Sequence, residues 1–365
     1  MMISGARVLE VEKTDLYHTR ITELPKTSLK TGEVRLSIDN FALTANNITY
    51  AVYGDSMGYW KFFPSEEHGW GRIPVWGFAT VEESLYDDID VGERFFGYFP
   101  MATELIVQPE RNREDGFSDG SNHRQALPSI YNRYTRISSD PSYRADFENQ
   151  QMLFRPLFMT SFLIDDQLAE FDFYGARQVV LSSASSKTAM ALAWLLQERD
   201  IDVIALTSQN SRSFVRNSQA YKKTVLYEDI ETGLDMASSV FVDFSGAPET
   251  ARKVHTRLGD DLKASIMVGA TNWQAGSTSE DTAPLPGPER SFFFAPDQGD
   301  KLVSEIGPEE FSRRVGTKML EFYEPASRWI KTVRGLGDEA ISESYDRVLR
   351  GKALPSEGFI LSFSV

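Results

Sequence analysis

The stretch Ser182-Ser183-Ala184-Ser185-Ser186-Lys187-Thr188 gathers hydroxyls, small side chains and an ammonium in one short bend. It follows the apolar, β-branched run ARQVVLSS (176–183) and precedes the Ala- and Leu-rich run SKTAMALAWLLQER (186–199). A turn between a strand and a helix aims the first helical N–H groups at whatever lies beyond it, which suits an anion. Hydroxyls can donate to phosphate oxygens and Lys187 adds charge. The bend has no glycine, so it departs from the G-x-G-x-x-G pattern of dinucleotide sites, and Thr188 stands where glycine normally allows close helix–strand packing. Two readings fit. Ser183, Ser185, Ser186, Lys187 and Thr188 form a phosphate seat, or the serines only cap a helix, a position that favours serine. The SSKT segment also matches the end of a P-loop, but both glycines of that motif are missing and no magnesium-binding aspartate follows.

The second apolar run, IDVIALTS (201–208), ends in Thr207-Ser208-Gln209-Asn210-Ser211-Arg212. An NAD site places Asp or Glu at this point for the ribose hydroxyls. No acid is present, and the rigid fork of Arg212 matches a 2'-phosphate. If a dinucleotide binds, Thr207, Ser208 and Arg212 favour NADP over NAD. The alternative is that Arg212 is a surface residue of the next helix.

These residues need a scaffold. Strand, turn, helix and strand within about 30 residues make a βαβ unit with parallel strands and a right-handed crossover. SSVFVDFSG (238–246) reads as a further strand ending in Gly246, APETARKVHTRLG (247–259) as a helix and KASIMVGATN (263–272) as a strand containing Gly269. Gly246 and Gly269 stand where a side chain would crowd a cofactor, or they are ordinary turn glycines. RSFFFAPD (290–297) reads as a last strand stopped by proline. Before residue 107 the sequence alternates short strands (8–11, 33–38, 94–97) with Gly, Pro and Asp turns, the pattern of a small β barrel. Residues 109–151 are polar and read as a long insertion or loop. Tyr131, Asn132 and Tyr134 lie inside it, so it is either an ordered functional loop or a solvated excursion with aromatic anchors. A helix starts near Met152.

At 365 residues the chain is too long for one ordinary core, so two domains are expected. Hydrophobic residues at 41% and charged residues at 25% are values of a globular protein. No apolar run reaches the roughly 18 residues of a membrane span, the first residues lack an apolar signal core, and a cytoplasmic location is expected. Cysteine is absent and histidine numbers only 4, with no pair at i, i+4, so neither a thiolate zinc site nor a histidine metal site is expected. A net charge of -15 argues against a duplex nucleic-acid partner and reads as a solvated acidic surface.

In element order the chain resembles the medium-chain dehydrogenase/reductase superfamily, in particular its zinc-free quinone oxidoreductase branch. LKTGEVRLSIDNFALTANNITYAVYGD (29–55) is similar to the opening of that family's barrel, and IPVWGFATVEES and DIDVGERFFGYFPMATELIVQP to its glycine-marked strands. PLFMTSFLIDD (156–166) takes the place of its domain-crossing helix, and AISESYDRVLRGKALPSEGFILSF (340–363) that of its terminal return. YWKFFP, IPVWGF, GYFPMA, RPLFMTSFLIDD and SSASSKTA are closer to a related bacterial family. The resemblance implies a GroES-like, mostly β catalytic domain over 1–150, a doubly wound Rossmann domain over 151–325 and a return over 326–365. It implies a zinc-independent, NADPH-dependent reduction of an activated double bond, quinone or carbonyl by hydride transfer.

Within that frame Tyr50, Asn46 and Asn47 are the candidate proton or hydrogen-bond donors toward the substrate. Tyr59 and Trp60 are candidate pocket walls, and Thr160 a contact to the nicotinamide amide. Each also has an ordinary use, in turns or packing. The last strand implies a homodimer, because relatives pair it with its copy. The missing glycines and the 109–151 segment depart from the family. They leave two rivals open, a catalytically silent binding protein and a partner module of a larger assembly. A hydrolase is set aside, because no G-x-S-x-G elbow or suitable histidine is present.

Overall fold

A computed structural model describes residues 5–268 and 284–364. The chain divides into two compact units, Met1–Leu153 with Ile330–Val365, and Phe154–Trp329.

The first part of the chain runs β1 (Ala6–Glu12), β2 (Asp15–Leu24), β3 (Val34–Leu43), α1 (Ala45–Val52), β4 (Trp70–Gly71), β5 (Pro74–Ser84), β6 (Arg94–Pro100), β7 (Glu104–Val107), β8 (Pro109–Arg113), β9 (Gly116–Asp119), β10 (Arg133–Arg136) and α2 (Glu148–Glu170). The second unit continues with β11 (Gln178–Leu181), α3 (Lys187–Leu196), β12 (Asp202–Thr207), α4 (Arg212–Ser218), β13 (Lys223–Leu226), α5 (Ile230–Gly233), β14 (Ser239–Asp243), α6 (Pro248–Leu258), β15 (Leu262–Met267), β16 (Arg290–Phe292), α7 (Ala295–Ile306) and α8 (Pro308–Trp329). The chain then rejoins the first unit through β17 (Lys331–Leu336), α9 (Gly337–Leu349) and β18 (Glu357–Ser362).

The first unit is mostly β. A small sheet has the order β2-β1-β4, and a large one runs β17-β18-β3-β5-β6-β10-β9-β8, with β7 on β3. β5 and β6 pair antiparallel, with Trp76 opposite Tyr98 and Phe78 opposite Phe96. β6 is covered almost throughout, which is why it reads as an unbroken apolar run.

The polar 109–151 stretch is not a loop. It supplies β8, β9 and β10, which extend the large sheet beyond β6, and the start of α2. Its polarity is deceptive because some of its charge is buried. Arg124 and Asp119 pair at 2.7 Å, each almost fully excluded from solvent. Tyr134 packs so tightly on Gly97 that a Cβ at that glycine would lie 2.4 Å from the ring.

The second unit is a parallel sheet of order β13-β12-β11-β14-β15-β16. The order reverses between β11 and β14, the position where open α/β sheets take ligands at the carboxyl ends of their strands. β11 and β14 are buried along their whole length. That explains their apolar sequence, and each buried Val or Leu there contributes about 1.5–3 kcal/mol. The expected final strand is shorter than its sequence suggests. β16 ends at Phe292, and Pro296 lies in the first turn of α7. The proline starts a helix, a position its fixed φ suits, rather than stopping a strand.

Candidate functional site

The bend after β11 does with serine what glycine does in a dinucleotide fingerprint. Ser183 has φ +46°, in the left-handed region, at a cost of about 1 kcal/mol for a residue with a side chain. Ser186 caps α3, its Oγ accepting the Ala189 N–H at 3.2 Å. Ser185, Lys187 and Thr188 are half-buried beside it. The carbonyl of Thr188 accepts a hydrogen bond from Ser161 Oγ at 2.8 Å, which ties α2 to the first turn of α3. The neighbouring Thr160 is half-buried and donates back to the Pro156 carbonyl at 3.4 Å.

The ends of β11 and β14 are stitched together. Ser182 Oγ donates to Asp243 Oδ1 at 2.7 Å and accepts the N–H groups of Phe244 and Ser245 at 2.8 and 3.0 Å. Asp243 Oδ1 also takes the N–H and Oγ of Ser245 and the N–H of Gly246, while Oδ2 takes Arg290 at 2.6 Å. Asp243 has no exposed surface, so this buried carboxylate is held by a full shell of donors. Gly246 bends at φ +65°. Gly269 lies outside the described residues. Tyr227, just after β13, accepts the Ser183 N–H at 2.8 Å, and Tyr221 donates to the Ala184 carbonyl at 2.7 Å. Burial raises the pKa of both phenols, so they remain neutral.

At the carboxyl end of β12, Thr207 is buried, while Ser208 and Arg212 are exposed. No hydrogen bond or ion pair is formed by the Arg212 side chain among the described residues. The donor set around α3 and this strand end consists of hydroxyls, Lys187 and Arg212, with no carboxylate in 207–212. That set fits a phosphorylated dinucleotide.

In the first unit, α1 presents Tyr50, whose hydroxyl accepts from Trp76 Nε1 at 3.3 Å and is reached by the Asn46 side chain four residues earlier. Burial pushes its pKa up. The Tyr59 ring lies 4.6 Å from that of Tyr50. Asn47 is consumed by structure. Its Oδ1 accepts the Thr44 N–H at 2.7 Å and its Nδ2 donates to the Pro74 carbonyl at 2.8 Å, so it caps α1 and has no role facing a ligand. Trp60 points away from the tyrosines and packs on Gly54 and Gly71, where a Cβ would lie 2.0 and 2.6 Å from its ring.

Residues 41–354 match the family described as Protein of unknown function (DUF2855). The chain belongs to that family. A search of curated proteins finds no match to this DUF2855 chain. Among solved structures, it is similar to CurA from Vibrio vulnificus in complex with NADPH, at a TM-score of 0.61 and 11% identity, covering 98% of this chain and 99% of that one. It is similar to a mutant enoyl thioester reductase from Candida tropicalis, at 0.56 and 12%, covering 99% and 100%. A third is the mitochondrial 2-enoyl thioester reductase Etr1p/Etr2p heterodimer from Candida tropicalis, at 0.57 and 11%, covering 99% and 100%. At such identities the likeness is one of fold. It agrees with the sequence expectation of a Rossmann-type parallel sheet joined to a mostly β, GroES-like domain.

The DUF2855 structure thus gathers Ser183, Ser185, Ser186, Lys187 and Thr188 at one turn and Asn46, Tyr50 and Tyr59 at one cluster. Sequence reasoning missed Tyr227, Asp243 and Arg290. For Asp243 a signal existed in the VDFSG segment, an acid at the end of a buried strand just before a glycine bend. Tyr227 and Arg290 carried none, since each reaches its partner across the sheet.

Proposed function

We propose that this chain is a zinc-independent, NADPH-dependent reductase of an activated double bond, quinone or carbonyl. The observation that carries the reading is the acid-free end of β12, with Arg212 exposed beside the switch point of a six-stranded parallel sheet. CurA was solved with NADPH, and Etr1p with NADP and crotonyl-CoA, on the same fold. When bound, the reduced cofactor supplies a hydride. The chain's own residues do the rest. Hydroxyls of the Ser183–Thr188 turn, the α3 N-terminus and Lys187 hold the diphosphate, and Arg212 holds the 2'-phosphate. Thr160 contacts the carboxamide. Tyr50, kept protonated by burial and oriented by Asn46, donates a hydrogen bond to the substrate oxygen where negative charge develops. The chain has no cysteine, so this O–H group takes the polarising role.

A specific observation favours a second reading, a binding protein without catalysis. The Ser183 N–H, the amide best placed for a diphosphate, already donates to Tyr227. Titration with NADPH, followed by nicotinamide fluorescence, separates the two. The reductase reading expects a Kd of about 10 μM or tighter, near −7 kcal/mol, with NADH about tenfold weaker. No binding at several hundred micromolar, as an order of magnitude, supports the silent protein and ends the reductase reading.

A homodimer belongs to the same proposal. β16 is an edge strand of its sheet, and Phe292 and Phe294 on and beside it are 60% and 38% exposed. An apolar edge needs cover, and a second copy of β16 provides it. Light scattering should return twice the 41.2 kDa chain mass, and a monomer at micromolar concentration would remove this part of the proposal.

A further inference from the structure

Four phenols crowd into one aromatic shell of the first unit. Tyr50 comes from α1, Tyr59 from the helical turn Tyr59–Lys61, Tyr98 from β6 and Tyr131 from the turn Ser129–Asn132 just before β10. The Tyr98 and Tyr131 rings lie 4.8 Å apart, and Tyr98 lies 5.6 Å from Tyr50. Trp76 closes the shell at 5.0 Å from Tyr98 and 6.1 Å from Tyr131. Three of these hydroxyls have partners. Tyr50 accepts from Trp76 at 3.3 Å, and the Tyr59 and Tyr131 oxygens lie 3.3 Å apart. The Tyr98 hydroxyl has no partner, although its residue has no exposed surface. A buried hydroxyl without a partner is disfavoured unless something supplies one.

The members differ in access. Tyr50, Tyr59 and Tyr98 are buried, whereas Tyr131 and Trp76 are half-buried and form the outer side of the shell. Tyr131 belongs to the segment that adds β8 to β10, and its place is fixed from below. Asn132 donates to the Arg124 carbonyl at 3.0 Å, and Arg124 is held by Asp119. The only charge this segment brings near the shell is therefore neutralised. Burial raises the pKa of all four phenols, so they offer neutral O–H donors and aromatic faces to a ligand without charge.

The geometry points to this shell as the binding site of a flat, uncharged conjugated carbonyl compound of the quinone or aromatic enone class, with the Tyr98 hydroxyl donating to its oxygen and Tyr131 as the gate that sets which ring systems enter. The inference rests on the reductase reading, deepens it by naming a substrate class, and makes Tyr131 a specificity residue supplied by the added strands.

The test is calorimetric titration of 2-methyl-1,4-naphthoquinone into the full chain without cofactor, with NADPH titrated separately into the same preparations. The chain has no cysteine, so thiol alkylation by the quinone does not interfere. Saturable binding to the wild type, weakened about tenfold in Tyr98→Phe, is expected. Tyr131→Ala should admit a wider anthraquinone that the wild type excludes, and this variant carries the test if Tyr98→Phe does not fold. Unchanged quinone affinity in Tyr98→Phe overturns the inference, because the hydroxyl is then a packing feature. A wild type that binds NADPH but not the naphthoquinone overturns it while leaving the reductase reading intact. Quinone binding without NADPH binding removes the reductase reading and keeps the shell as a ligand site.

Discussion

Asp243→Ala should cost the second unit about 3–5 kcal/mol of stability. The carboxylate is fully buried and accepts hydrogen bonds from Ser182, Ser245, Gly246 and Arg290. Removing it leaves those donors without their acceptor inside the protein. The most costly is Arg290, whose side chain is 22% exposed and whose Nε already lacks a partner among the described residues. A guanidinium so poorly hydrated, with its counter-charge gone, must either move toward water and pull β16 with it or remain as an unpaired cation. Against a typical total of about 5–15 kcal/mol, the loss is large enough to populate an unfolded second unit. Urea unfolding of the full chain checks it, following the transition of the α/β unit by far-ultraviolet circular dichroism. Asp243→Asn is expected to fall between, since it keeps an acceptor oxygen but loses the charge. A shift below about 1 kcal/mol for the alanine variant would show that the Ser182–Asp243–Arg290 link does not hold the switch point together.

The same network shows where sequence reasoning stops. The strands β11, β12 and β14 were legible because a parallel strand covered on both faces is a short apolar run, and α3 because Ala and Leu alternate with nothing that breaks a helix. What those elements hold between them was less legible. Ser182 and Asp243 are 61 positions apart, as the hydrogen bond records, and no local pattern announces that pairing. Ser183 stands in a left-handed bend, but a serine does not advertise that conformation as glycine would. The segment 109–151 misled for a related reason. Its Arg and Asp residues looked solvated because charge on a linear sequence usually is, yet Arg124 and Asp119 neutralise each other beneath Phe62 and Phe63. Only the pairing of β10 with β6 shows that the stretch carries sheet and core. Tyr50, Asn46 and Tyr59 were legible as a group because a single helix and the turn after it bring them together. Asn47 was not separable from Asn46, since which of two adjacent asparagines caps a helix depends on where that helix starts. Here it starts at Ala45, which puts Asn47 at the third helical position, within reach of the Thr44 amide.

Arg212→Ala should weaken NADPH binding by about 10- to 100-fold and leave NADH binding unchanged. The reasoning starts from charge. A 2'-phosphate carries nearly two negative charges at neutral pH, and a forked guanidinium meets it with paired, charge-assisted hydrogen bonds. A hydrogen bond to a charged group is worth about 1.5–3 kcal/mol, and each 1.4 kcal/mol is a factor of ten in affinity. Arg212 is free to respond, since it is exposed at the start of α4 with no ion pair among the described residues. Nothing acidic between Ser208 and Arg212 would repel the phosphate or bind the ribose diol in its place. Because the side chain is exposed, the effect should shrink as salt rises and the Debye length falls from about 10 Å at 0.1 M toward 3 Å at 1 M. Arg216 is the internal control, because it is also exposed but lies one turn further along α4. Arg216→Ala should change the NADPH affinity far less. Fluorescence titration of both cofactors against both variants decides the matter. If Arg212→Ala weakens NADPH and NADH equally, the residue holds a diphosphate or the fold rather than the 2'-phosphate. If it weakens neither, the preference for NADP must come from elsewhere in the crevice, and the assignment of this strand end is wrong.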